Sequence, residues 1–183
     1  DKLKALKSTE AQASEMEHAI KNEIHVKLDE DPAFYSSLRE RLEQLIEDRK
    51  AKRIDAAQQL KLFEQLRREM RGHQDVAQSH GMTETSLAIY GLIAQPKAGM
   101  VADPRGAPYG LKIDEAKKEL AGILEEQLEA QVALVDWTHR DDVQREMRRL
   151  IKRQLRAAGT SDDAINSIAE SIVELMKRRR GRT

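Results

Sequence analysis

Apolar positions recur along most of the chain at steps of three and four, the spacing of one helix face. The first stripe joins Met16, Ala19, Ile20, Ile24 and Leu28. It predicts a helix that follows Ser8-Thr9 and ends at "DEDP" (29–32), where Asp31 before Pro32 offers a side-chain cap and a proline harmless in a first turn. A second stripe, Phe34, Leu38, Leu42, Leu45 and Ile46, predicts the next helix. After "DRKAKR" a third stripe runs through Ala56, Leu60, Phe63, Leu66 and Met70, with Asp55 and Gln58 spaced as a capping box.

From Gly72 the stripe lapses, and 72–82 is expected to be a polar linker carrying His73 and His80. A short helix after Thr83, "TETSLAIYGLI", precedes the segment 94–110, where three of the four prolines and three glycines predict a long loop. Asp114 opens a helix lined by Ala116, Leu120, Ile123, Leu124, Leu128 and Val132 and ending near Trp137. Thr138 and Asp141 are spaced as a capping box for the helix that follows, and "AAGTSDD" separates it from a last one lined by Ile165, Ile168, Ile172, Leu175 and Met176. Residues 177–183 then read as a basic tail. The expectation is all-α: an irregular bundle of six or seven helices around one core, forming a single domain over 1–183 with one long Pro/Gly loop.

Composition agrees with this. Aromatic residues are 3% of the chain and charged residues 35%, while glycine and proline total thirteen, so the core must be aliphatic and breakers few. The 32 basic residues match the 32 acidic ones, leaving no global field to attract nucleic acid. The absence of cysteine removes disulfides and thiolate chemistry and suits the cytoplasm. No apolar run has the length of a membrane span, so no membrane partner is expected. A chain starting at Asp1 rather than methionine is expected to be part of a longer one.

Three constellations invite a catalytic reading. Asp103 with Glu115 and Lys117 imitates a carboxylate plus E-x-K nuclease site, but Glu115 and Lys117 fall two apart in the first turn of a helix and point to different sides. His18 and His25 share a helix face yet stand two turns apart, too far for one ion, so they read better as partly buried, hydrogen-bonded histidines. There is no G-x-S-x-G, no G-x-x-x-x-G-K-[ST] and no G-x-G-x-x-G. No catalytic, cofactor or metal residue is assigned.

The segment "VDWTHRDDVQREMRRLIKRQL" (135–155) is the other candidate. On a helix, Val143, Met147, Leu150 and Ile151 face one way, and Arg145, Arg148, Arg149, Lys152 and Arg156 the other. That basic face suits phosphates, a protein partner or plain solvent, while Asp141-Asp142 at its start disfavours a nucleic-acid backbone. Trp137, just ahead, fits a core cap or an interface anchor.

Two stretches carry a resemblance. "EMEHAIKNEIHVKLDEDPAFYSSLRERLEQLI" (15–46) resembles the opening of the C-terminal region of type I restriction enzyme R subunits. "LVDWTHRDDVQREMRRLIKRQL" (134–155) resembles the closing segment of that region. The middle, about 72–113, matches poorly outside Leu87–Ile93. The resemblance implies a helical assembly domain that docks an ATP-dependent DNA translocase and endonuclease subunit on the methyltransferase core of modification and specificity subunits. In that family the nuclease and motor, with their ATP and magnesium, occupy other domains, and duplex DNA is reached through the complex. The alternative is an accessory, non-specific DNA-binding domain that uses the basic face of 145–156 and the tail.

Overall fold

The computed structural model describes residues 2–94 and 113–180, and every regular element among them is helical. In chain order these are α1 (Lys2–Lys27), α2 (Pro32–Lys50), α3 (Ala56–Ser79), α4 (Glu84–Ala94), α5 (Glu115–Val132), α6 (Asp141–Ala157) and α7 (Asp162–Arg180), with one 3-10 turn at Trp137–His139. The Pro/Gly segment read as a loop lies, from residue 95 on, outside the described residues.

Local chemistry explains most boundaries. Asp31 Oδ1 accepts the Phe34 N–H at 3.0 Å, with Pro32 in the first turn of α2. Asp55 and Gln58 form the reciprocal capping box of α3, at 2.7 and 2.9 Å. Asp114 accepts from the Ala116 and Lys117 amides to start α5. Gly159, at φ +76, closes α6 in a conformation that a side chain would disfavour.

Helices α1 and α3 differ from their sequence patterns at three points. Helix α1 begins at Lys2, so Ser8 and Thr9 lie within it rather than capping it; the run "KLKALK" is made of good helix formers. Helix α3 continues through 72–79, expected to be linker, because His73 and Ala77 carry the stripe of Phe63, Leu66 and Met70 onward at steps of three and four. Ala19 faces solvent, and Ala13 takes the inward position on α1 instead.

The apolar interior forms two clusters rather than the single core expected. Helices α1–α3 enclose Ile20, Ile24, Phe34, Leu38, Leu42, Phe63, Leu66 and Met70. Helices α4–α7 enclose the second, to which Ala33 and Ala77 also belong. Within α4 every residue from Ser86 to Ile93 is buried, so this short helix has no solvent face and forms the centre of the second cluster. It packs on α2, α3, α5 and α7, which joins the clusters.

The junction is polar and close-packed. Asp31 Oδ2 lies 3.0 Å from His73 Nε2, and the His73 ring stacks on Phe34 at 3.8 Å. Burial, reinforced by the Glu30, Glu23, Asp31 and Glu84 carboxylates, pushes the neighbouring Tyr35 hydroxyl above the usual phenol value. From the far end of the chain, Arg179 donates to the carbonyls of Glu30 and Glu84 and to Thr85 Oγ1, all within 3.1 Å. Arg178 pairs with Asp29 at 3.2 Å. The segment expected to be a basic tail is therefore, through residue 180, the last turns of α7, and two of its arginines tie α7 to the first helices.

Candidate interaction surface

Helix α5 ends at Val132, earlier than expected, and the chain turns sharply before α6. Asp136 takes a left-handed conformation (φ 55), which the short polar side chain of aspartate tolerates. The 3-10 turn closes through His139 N–H to Asp136 O at 2.9 Å and Arg140 N–H to Trp137 O at 3.1 Å. Trp137 is driven inward, 2% exposed, and its indole Nε1 has no hydrogen-bond partner among the described residues. It belongs to the core of the second cluster, so its side chain is no surface anchor.

Driving Trp137 inward turns its neighbours outward. Val135 is 82% exposed and Leu134 44%, which with Val26 makes them the exposed large apolar residues of the described chain. The turn is anchored by Gln144, a buried amide whose Nε2 donates to Thr138 O at 2.7 Å. That bond replaces the expected Thr138–Asp141 capping box: Arg140 occupies the cap position of α6 without a side-chain cap bond. Asp141 and Asp142 in the first turn favour the positive end of the helix dipole. Arg140 grips Asp142 at 2.7 Å and holds its carboxyl below the usual range, while the same bond raises the guanidinium.

Helix α6 separates its faces as its sequence predicts. Val143, Gln144, Met147, Ile151 and Leu155 are buried. Arg145, Arg149 and Arg156 are exposed, and Lys152 is half-buried. Arg149 approaches Glu146, and Arg156 Asp162, only to 3.9 Å, loose pairs that leave both guanidinium groups open to solvent. Arg148 is different: its Nε lies 2.7 and 2.9 Å from the two oxygens of Glu170, so it clamps α6 to α7. Arg153, exposed on the edge of the same face, adds a cation that spacing alone had left aside.

The catalytic constellations come apart. Glu115 pairs with Lys118 at 3.1 Å, Lys117 stands 3.9 Å from Asp114, and Asp103 lies outside the described residues. His18 and His25 are both exposed rather than partly buried. No group of three or more His, Asp or Glu among the described residues is arranged to hold a metal. No described helix is long and apolar enough to cross a membrane.

The surface thus consists of a fixed apolar turn followed by a basic helix face, inside the segment that carried the resemblance. A sequence model of the family described as "Type I restriction enzyme HindI endonuclease subunit-like, C-terminal" matches residues 1–180. The chain belongs to that family. It is the C-terminal domain of a type I restriction enzyme endonuclease subunit. A relative, the "Putative type I restriction enzyme MjaIXP endonuclease subunit" of Methanocaldococcus jannaschii, is 24% identical over 159 residues, covering 86% of this chain. The domain spans 14% of that relative's length. No solved structure matches it.

Proposed function

We propose that this C-terminal domain docks the endonuclease subunit on the methyltransferase core of modification and specificity subunits, in the cytoplasm, and takes no part in the chemistry. ATP and magnesium then act in other regions of the subunit, and duplex DNA is met through the assembled complex. The observation that carries this reading is the fixed outward display of Leu134 and Val135 beside the buried Trp137. Two adjoining exposed aliphatic side chains on a main chain already held by hydrogen bonds offer apolar area that binding need not order at the backbone, which favours a protein partner. The test is a pull-down of the core by this domain without ATP, compared with a Leu134→Asp, Val135→Asp variant. Capture by the parent and loss by the variant support docking; equal capture by both removes the turn from it.

A second reading rests on Arg145, Arg149, Arg153 and Arg156, which are exposed together, with the half-buried Lys152 beside them. On a duplex they would release counterions, so affinity would fall steeply with salt. Charge reversal by Arg145→Glu with Arg149→Glu should then flatten the salt dependence, and unchanged affinity would refute it.

A further inference from the structure

The α4–α5 side of the domain carries a feature that the turn and the basic helix do not account for. An open groove runs between the start of α4 and the outer face of α5, in two stretches of about 590 Å³ and 640 Å³ that share Thr83, Gly122 and Glu125. Its walls include apolar side chains, Met82 and Ala116 at one end and Val132 and Met176 at the other.

Two properties of α5 are unfavourable within the chain itself. Gly122 sits in the middle of an 18-residue helix, where glycine is the weakest ordinary helix former. A β-carbon built there meets nothing within 4 Å, so no internal packing demands its absence. Along the same face stand Glu115, Glu119, Gly122, Glu126 and Glu129, at steps of four, three, four and three. Like charges at such spacing repel. Glu119, Glu126 and Glu129 form no ion pair with any described residue. Glu115, Glu119, Glu125, Glu126 and Glu129 line the groove against only two cations, Lys118 and Arg179, so it keeps an excess of negative charge.

A cationic partner resolves both. Apolar walls with a carboxylate rim fit an amphipathic helix that inserts an aliphatic stripe and sets lysines or arginines against the rim. Gly122 lets that helix approach the backbone of α5 closely. Nucleic acid is excluded by the sign of the charge. We propose that the α4–α5 groove is a docking site for a basic amphipathic helix of a protein partner, with Gly122 as its floor and Glu119, Glu126 and Glu129 as its rim. The identity of that protein as a subunit of the methyltransferase core rests on the docking reading above; the chemistry of the groove does not.

The probe is an 18-residue amphipathic peptide of leucine and lysine, titrated into the 183-residue chain while backbone amide shifts are followed. A peptide of the same composition in scrambled order is the control. The expected result is a shift pattern centred on Gly122 and the three glutamates, with the scrambled peptide at least tenfold weaker. Gly122→Leu and the pair Glu126→Gln, Glu129→Gln should each weaken binding at least tenfold with an unchanged helical spectrum. Should Gly122→Leu fail to fold, the glutamine pair decides, since it alters exposed side chains only. Shifts centred elsewhere, equal binding of the scrambled peptide, or parental affinity in the variants would overturn the proposal. So would self-association in sedimentation that Gly122→Leu abolishes, which would make the occupant a second copy. Peptide binding without capture of the core would sink the docking reading alone; core capture undiminished by the glutamine pair would sink the groove as that contact.

Discussion

Replacing Asp31 by alanine should be the most damaging single change to a charged residue in the domain. The side chain is 3% exposed and each of its oxygens has a task. Oδ1 caps α2 through the Phe34 amide, and Oδ2 receives His73 Nε2, each at 3.0 Å. Loss of a helix cap costs about 1 kcal/mol, and removing the acceptor of a buried donor costs about 1–3 kcal/mol. The sum is about 2–4 kcal/mol, a large part of the stability of an ordinary domain. With a urea dependence of about 2 kcal/mol per molar, the unfolding midpoint should fall by about 1–2 M. Circular dichroism at 222 nm reads the helices, and fluorescence of the sole tryptophan, Trp137, reads the second cluster. Both transitions should move together, because Asp31 sits where the clusters meet. Asp31→Asn keeps a cap and should lose roughly half as much. Asp29→Ala is the control: Asp29 pairs with Arg178 at the surface, where such pairs contribute about 0–1 kcal/mol. If Asp31→Ala moved the midpoint no further than Asp29→Ala, the junction would not hold the clusters together as described.

Gly122→Ala should stabilise the isolated domain by about 0.5–1 kcal/mol, because a helix-interior glycine gains propensity and the new methyl meets nothing; thermal unfolding measures it. Glu69→Ala should cost about 1–3 kcal/mol in urea unfolding, since it breaks a two-bond pair with Arg41, at 2.6 and 3.1 Å, that is mostly shielded from water yet not fully buried. Val135→Asp should leave stability within about 0.5 kcal/mol of the parent, as surface changes do. A larger loss by the same measurement would mean that the exposed turn serves folding rather than recognition.

Much of the architecture was legible in the sequence because aliphatic side chains repeat at helical spacing and caps use a short list of residues. The Asp31-Pro32 start, the Asp55–Gln58 box and the Asp114 start were each readable as local chemistry. What failed to show were contacts made far along the chain. His73 looked polar and ended a stripe, yet its ring lies flat on Phe34, and the spacing Met70, His73, Ala77 was the available sign. Arg148 and Arg179 looked like surface cations, but a long guanidinium side chain finds partners 22 and 149 residues away that no periodicity announces. The two-cluster interior was equally hidden, because a stripe says that a face is buried and not against which helix. Of the candidate surface, the outward cations of α6 were readable, whereas the outward Leu134 and Val135 depend on the left-handed turn at Asp136.

Docking of this domain on the methyltransferase core, as proposed above, is best tested by isothermal titration of the purified core with the domain and with its Leu134→Asp, Val135→Asp variant, without ATP or DNA. Saturable binding by the parent domain is expected, with at least tenfold weaker binding by the variant, whose fold should be intact. Absence of binding by the parent domain, or equal affinity for both proteins, would contradict the proposal.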